Sequence, residues 1–126
     1  VFINLLVNAC HAMPMGGRMT IVMRMDLERD QIITTIEDAG QGISEENQGR
    51  IFDPFFTTKN QELDGVAGTG LGLSVSYGII ENHGGQITVQ SAVGQGTVFT
   101  VALPTVSLMR TAERQPDSDE NNVSTV

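Results

Sequence analysis

The apolar and polar positions at the start of this chain follow a helical rhythm. Between residues 2 and 13 apolar residues recur at steps of three and four, which predicts a helix that buries one face, formed by Phe2, Leu6, Ala9 and Met13. A polar stripe on the opposite face contains Asn4, Asn8 and His11. Pro14 and the glycines that follow Met15 end this helix, because proline disfavours helical backbone before it and glycine accepts the turn.

The next two segments alternate with a period of two, which predicts strands. From residue 19 to residue 27 every odd position is apolar, so we expect a half-buried strand whose methionines lie in the core or on a docking surface. Residues 31–38 form the second strand, in which Ile32 and Ile36 share a face with Asp38. This strand therefore carries a carboxylate to its end on the side that should be buried.

The second half of the chain predicts a loop between two helices and then a hairpin. A short helix covers residues 45–51 with Ser44 as its N-cap, and residues 53–68 lose periodicity, which is typical of a functional or disordered loop. Helical spacing returns over residues 71–83, and strands flank a turn from Gly94 to Gly96. This order predicts an α+β fold, a two-layer sandwich with helices on one face of a mixed, mostly antiparallel sheet.

Length and composition narrow the classes of protein to consider. The 126 residues suit one domain at residues 1–104, with residues 105–126 as a flexible polar tail or linker. A formal net charge of -8 argues against a broad grip on nucleic acid, so a bound polyanion must be held locally. A single cysteine, Cys10, cannot form a disulfide within the chain and favours the reducing cytoplasm. We expect any membrane anchor of the parent protein to lie outside this chain. Because Val1 already lies in a helical pattern, we expect the first element to be cut.

Two glycine-rich clusters are candidates for nucleotide chemistry. Residues 38–42 read DAGQG, where glycines let backbone pass close to a flat ligand and Asp38 can accept a hydrogen bond from an exocyclic amine. A solvated Asx turn is the alternative. Residues 68–74 read GTGLGLS and open a helix whose first amides favour phosphate, with a flexible hinge as the alternative. A Rossmann unit would need a strand directly before these glycines, and a Walker loop would need a lysine after them.

The polar stripe of the first predicted helix is a candidate magnesium site. The amide oxygens of Asn4 and Asn8 suit a hard cation that takes few protein ligands because substrate phosphates supply the rest. Taken alone, two helical asparagines are more typical of a solvent-facing surface. The stripe therefore indicates a magnesium site only in combination with the two glycine-rich clusters.

Together with one further motif, these segments resemble a known family. NLLVNA at residues 4–9, DAGQG at 38–42, IFDPFFTTK at 51–59 and GTGLGL at 68–73 resemble the N, G1, F and G2 boxes of sensor histidine kinases, in the same order. The resemblance runs from residue 1 to residue 104, and residues 70–85 are similar to the nitrogen-regulation type. It implies the ATP-binding catalytic domain of a two-component sensor kinase, with the Bergerat sandwich of gyrase, heat-shock chaperone and mismatch-repair ATPases.

The resemblance also implies which residues would hold the base. Asp38 would accept the adenine amino group, directly and through a water shared with Thr97. The base would be bordered by Gly40, Gly42 and Ile43.

A second set of residues would hold Mg²⁺ and the phosphates. Asn8 would bind Mg²⁺ with help from Asn4, while His11 and Lys59 would approach the phosphates. Residues 60–68 would be a mobile lid, and a glycine-rich segment would fold over the triphosphate, formed by Gly68, Thr69, Gly70, Leu71, Gly72 and Leu73. The catalytic residues so implied are Asn4, Asn8 and Lys59.

The reaction implied is transfer of the γ-phosphoryl group of ATP to a histidine nitrogen, for relay to a response-regulator aspartate. Gyrase-like hydrolases carry a water-activating glutamate four residues before the magnesium asparagine, and Asn4 stands there instead, which cannot act as that base. His11 and His83 lie inside catalytic-domain motifs, so the acceptor would lie on dimerisation helices outside this chain. The implied partners are those helices and a cognate response regulator, in a homodimeric parent kinase. The alternative is a catalytically inactive, nucleotide-responsive interaction module.

Overall fold

The computed structural model describes residues 1–56 and 72–105. The helices among them are α1 (Phe2–Ala12), α2 (Glu45–Gln48) and α3 (Gly72–Asn82). The strands are β1 (Met19–Asp26), β2 (Gln31–Asp38), β3 (Gln86–Ala92) and β4 (Gly96–Pro104). Among the described residues no helix is both long and apolar enough to cross a bilayer.

The four strands form one sheet in the order β1-β2-β4-β3, and every pairing between them is antiparallel. Long helices α1 and α3 both pack on one face of this sheet, because their buried residues share one core with β2, β3 and β4. The predicted α+β fold class is therefore confirmed. The β2–β4 register sets Asp38 opposite Thr97 at the end of the sheet, which places a carboxylate and a hydroxyl side by side.

The core is centred on the two middle strands and one residue of α1. Leu5 is fully buried, Val101 is 1% exposed, and both belong to a cluster completed by Ile36, Ile51, Ile80, Ile87 and Phe99. The predicted buried face of α1 is wrong in one respect, because Phe2 is 37% exposed and Leu5 takes the central place. The three- and four-residue spacing allowed either stripe, and the packing of α1 on β2 and β4 selects the one with Leu5.

Strand β1 is more exposed than its alternating sequence predicts. Ile21, Met23 and Met25 point to the same sheet face as the core but are 53%, 66% and 48% exposed. Helix α1 lies over β2 and β4, and α3 lies over β3, so the edge strand β1 extends beyond their cover. Leu27, the last residue of the predicted strand, lies in the turn after it. The strand that the sequence predicts to be half-buried is thus an exposed edge strand among the described elements.

Helix boundaries agree with the sequence pattern more closely than helix faces do. Ser44 caps α2 as predicted, by accepting a hydrogen bond from the Asn47 amide, but the helix ends at Gln48 and not at residue 51. In α3 the buried residues are Ser76 and Ile80, whereas the predicted apolar positions Val75 and Ile79 are 51% and 40% exposed. Much of the predicted loop at residues 53–68 and nearly all of the predicted tail lie outside the described residues.

Candidate functional site

The carboxylate of Asp38 lies at the C-terminal end of β2, between Met19 of β1 and Thr97 of β4. It is 4% exposed, and its one hydrogen bond within the described part of the chain comes from the Gly40 amide, 2.9 Å from Oδ1. No side-chain polar atom of the described residues is both fully buried and without a partner. The second oxygen of Asp38 therefore faces an accessible space, where it can accept a hydrogen bond from a ligand N–H group.

The backbone after Asp38 is held on both sides by close contacts. The Gln41 amide donates to the carbonyl of Ala12 at 3.2 Å, and the Gln41 carbonyl accepts from the Gly94 amide at 2.8 Å. Gly42 has a φ of +74°, and a Cβ there would overlap the carbonyl of Ala92. The segment thus spans from the end of α1 to the β3–β4 turn with no room for side chains at its glycines.

Thr97 is tied to a serine of the neighbouring strand. Its hydroxyl lies 2.8 Å from Ser91 Oγ, which also accepts from the Ile43 amide at 2.7 Å and donates to the Gly96 carbonyl at 2.8 Å. Thr97 is 4% exposed, and Ser91 is half-buried. One serine therefore joins β3, the start of β4 and the backbone that follows Asp38.

The polar stripe of α1 faces α3 at its first residue. Asn4 Nδ2 donates to the Gly72 carbonyl at 3.4 Å and to Ser76 Oγ at 3.3 Å, and the fully buried Ser76 hydroxyl donates to Gly72 at 2.7 Å. The predicted placement of Asn4 opposite the packed side is therefore wrong. Because its amide nitrogen is engaged by α3, Oδ1 is the atom of Asn4 left to act as a metal ligand.

The other predicted site residues within the described ranges lie on α1, on α3 and on the segment between β2 and α2. Asn8 is half-buried one turn after Asn4, and His11 is exposed in the last turn of α1. Ile43 and Leu73 both pack partly against the core cluster, and Gly72 begins α3. Five predicted site residues lie outside the described residues: Lys59, Gly68, Thr69, Gly70 and Leu71.

Three phenylalanines of the predicted F box behave differently from one another. The ring of Phe52 lies 5.3 Å from that of Tyr77 and 6.5 Å from that of Phe99, so it packs into the domain. Phe56 lies under the Arg50 guanidinium, 4.8 Å from the ring centroid. Phe55 is 74% exposed and has a φ of 66°. The three aromatic rings of this motif are thus divided between packing and exposure.

Ser91 is the site residue that the sequence analysis missed. Its signal was available, because Ser91 continues the alternation of Ile87 and Val89 and so falls on the apolar face of a strand. A hydroxyl on a buried face needs polar partners. Recognising which partners requires the register that sets β3 beside β4.

Comparison with known proteins gives consistent results. The sequence model of a family described as histidine kinase-, DNA gyrase B-, and HSP90-like ATPase matches residues 1–107. Sporulation kinase E of Bacillus subtilis (strain 168) is 45% identical over 104 residues, which are 82% of this chain and 13% of that protein. The sensor histidine kinase ZraS of Salmonella typhi is 43% identical over 107 residues, 85% of this chain and 22% of that protein. The chain therefore spans less than a quarter of the length of these relatives.

Solved structures show the same likeness. The catalytic domain of histidine kinase ThkA, in a nucleotide-free form, superposes with a TM-score of 0.65 at 36% identity over 82% of this chain and 62% of that chain. A mycobacterial sensor histidine kinase, MprB, gives a TM-score of 0.67 at 28% identity over 80% of this chain and 65% of that chain.

Proposed function

Because the chain belongs to the family of histidine kinase-, DNA gyrase B- and HSP90-like ATPases, we propose that it binds Mg-ATP as the catalytic domain of a sensor histidine kinase. In this proposal it donates the γ-phosphoryl group to a histidine on a dimerisation domain outside this chain, for relay to a response-regulator aspartate. The observation that carries the proposal is the buried carboxylate of Asp38 beside Thr97, at the point where the glycine backbone leaves the sheet.

Adenine recognition follows from the acceptors gathered at this point. The open oxygen of Asp38 accepts a hydrogen bond from the exocyclic amine, directly and through a water shared with the Thr97 hydroxyl. Gly40 and Gly42 keep side chains away from the plane of the base, while the half-buried Ile43 offers apolar surface beside it. A carboxylate with so little solvent exposure discriminates strongly, because an unpaired buried acceptor is costly.

The donor set of α1 fits Mg²⁺. Asn8 and the free oxygen of Asn4 are neutral oxygen donors one turn apart, the kind that Mg²⁺ accepts when phosphates complete its shell. Within residues 1–56 and 72–105 no cluster of three or more His, Cys, Asp or Glu residues could hold a metal. Bound Mg²⁺ would neutralise charge on the phosphates, and Lys59 and His11 would add to that role.

In phosphoryl transfer the main role of the protein is to position ATP and the acceptor histidine. The bond between the γ-phosphorus and the bridging oxygen breaks, ADP leaves with that electron pair, and a nitrogen–phosphorus bond forms on the acceptor histidine. The glycine-rich segment at residues 68–73 is assigned to the triphosphate, and Asn4 offers no carboxylate to activate water. This favours transfer to a histidine over a gyrase-like hydrolysis.

The proposal extends to the parent protein. The partners are the histidine-bearing dimerisation helices of a homodimeric kinase and its response regulator, and the catalytic domain acts in the cytoplasm. Residues 70–85 support a kinase of the nitrogen-regulation type. The second candidate is a nucleotide-responsive interaction module without catalysis, and exposed Phe55 is the observation that favours it.

Calorimetric titration with a non-hydrolysable ATP analogue, with and without Mg²⁺, tests the nucleotide site. We expect Mg²⁺-dependent binding that Asp38→Asn weakens by about ten- to a hundredfold, since hydrogen bonds to charged groups contribute roughly 1.5–3 kcal/mol. Glu37→Gln is the matched control, because it also replaces a carboxylate by an amide, but at an exposed position on the other face of β2. Its affinity should equal that of the wild type.

Two outcomes separate the candidates. Phosphorylation of an added histidine-bearing helical hairpin by the nucleotide-binding chain would support the kinase. Binding without any phosphotransfer would favour the interaction module. A folded chain that binds no adenine nucleotide would overturn both.

A further inference from the structure

Ser91 lies at the centre of a hydrogen-bonded group beside the strand end that carries Asp38. Its Oγ has three polar neighbours within 2.8 Å: the Ile43 amide, the Gly96 carbonyl and the Thr97 hydroxyl. Ser91 and Thr97 are cross-strand partners on the helix-covered face of the sheet, opposite Asp38 in the next strand. The serine thus touches the residues that flank the carboxylate without contacting the carboxylate itself.

The distance between the two hydroxyls allows either one to be the donor, and the hydrogen bond from Ser91 to the Gly96 carbonyl is what favours Thr97 as the donor. A serine hydroxyl has one proton, and Ser91 gives it to the Gly96 carbonyl. The hydroxyl of Thr97 then donates to Ser91 Oγ, which leaves only acceptor lone pairs on Thr97 for a ligand. Beside it, the Asp38 carboxylate is also an acceptor. A pocket with two acceptors favours a ligand amine and opposes a ligand carbonyl.

We propose that Ser91 is a positioning residue that sets Thr97 as a hydrogen-bond acceptor and thereby makes the pocket selective for a 6-amino over a 6-oxo purine. This rests on the proposed nucleotide function and adds a selectivity determinant to it. Through the Ile43 amide, the same serine also holds the backbone after Gly42 against β3. Loss of the Ser91 hydroxyl frees the Thr97 proton, which can then be donated to a purine carbonyl.

The test compares ADP with IDP, which carry the same phosphates and differ in the purine, where IDP has a carbonyl at position 6 and a proton on N1. Calorimetry on the full chain gives Kd for both nucleotides in the wild type, Ser91→Ala, Ser91→Thr and the control Thr88→Ala, an exposed residue of the same strand. We expect the ratio of Kd(IDP) to Kd(ADP) to fall about fivefold or more in Ser91→Ala, the effect of about one hydrogen bond. Ser91→Thr, which keeps the hydroxyl, and Thr88→Ala should keep the wild-type ratio.

A double-mutant cycle identifies the route of the effect. In a Thr97→Val background, adding Ser91→Ala should leave the ratio unchanged, because there is no hydroxyl left to orient. Thermal unfolding of each variant shows that it is folded, and a purely structural role for Ser91 would weaken both nucleotides equally. An unchanged ratio in folded Ser91→Ala would overturn the inference while the nucleotide site stands. A folded wild type that binds neither nucleotide would overturn the proposed function, and the inference with it.

Discussion

At the scale of single residues, two glycines at the β3–β4 turn differ in how closely neighbouring backbone approaches them. Gly94 and Gly96 both have positive φ, +80° and +90°, but a Cβ at Gly94 meets open space whereas one at Gly96 would overlap the Asp38 carbonyl. Gly94→Ala should therefore show only the cost of a left-handed alanine, about 1–2 kcal/mol. Gly96→Ala should lower the free energy of unfolding by a further ~1–3 kcal/mol, the usual range for overpacking. Urea unfolding of the two variants measures the difference, and equal losses would contradict the overlap.

Asp26 gives the turn between β1 and β2 a dependence on pH. Desolvation raises the pKa of Asp26, but hydrogen bonds from the Arg29 amide, the Gln31 side chain and the Glu28 amide, with the charge of Arg29, lower it below its ordinary value of 3.8. The folded state thus favours the carboxylate form of Asp26. Its contribution to the free energy of unfolding is present above the pKa of the unfolded state and is lost as pH falls through the pKa of the folded state.

We expect Asp26→Asn to be less stable than the wild type at about pH 6, and this difference to shrink at lower pH as the carboxylate of the wild type is protonated. Denaturant unfolding at several pH values measures it. Glu28→Gln is the control, because the exposed Glu28 takes part in this turn only through its backbone amide. A difference between wild type and Asp26→Asn that does not change with pH would contradict the lowered pKa.

At the scale of elements, Leu5 is the largest fully buried side chain that α1 packs against the sheet. Leu5 is fully buried, while Ile3 on the same helix is 75% exposed. Leu5→Ala should lower the free energy of unfolding by about 2–5 kcal/mol, and Ile3→Ala should change it by less than about 0.5 kcal/mol. Chemical denaturation monitored by circular dichroism distinguishes the two variants. A small effect of Leu5→Ala would show that α1 does not depend on this contact.

The sequence predicts the elements of this domain better than it predicts which faces they bury. The period of two identified β1, because alternation depends only on the strand itself, but the exposure of Met23 depends on where the helices lie. Likewise, helical spacing identified α3 without indicating that buried Ser76, rather than Val75, faces the core. Ser76 is buried because Asn4 and Gly72 satisfy its hydroxyl, and these are partners that only the folded chain brings together.

The same limit applies to the site. Asp38 and Thr97 were found from the resemblance and from strand parity, and both are buried as side-by-side partners in the sheet. Ser91 was missed because its role depends on three hydrogen bonds to residues that are between 5 and 48 positions away in sequence. Motifs identify the residues that meet a ligand, whereas the residues that orient them become visible from strand register.

At the scale of the whole molecule, the proposed site joins most of the elements described, so a ligand there should stabilise the entire fold. It draws on α1, β2, β4 and the start of α3. We expect the free energy of unfolding to rise with ADP concentration above Kd by about 1.4 kcal/mol per tenfold, the slope for a single site. Thermal unfolding across ADP concentrations measures this. If calorimetry shows that ADP binds but the thermal midpoint does not move at those ADP concentrations, the ligand contacts only a locally unfolding part of the domain.

The backbone at Gln41 has an amide bound to the end of α1 and a carbonyl bound to the β3–β4 turn. A segment fastened at the same residue to two separate anchors cannot gain or lose a residue without releasing one of them. The number of residues between Asp38 and Ile43 is therefore fixed by geometry as firmly as their identity, and length variation among related chains should accumulate elsewhere, such as in the exposed turn from β1 to β2.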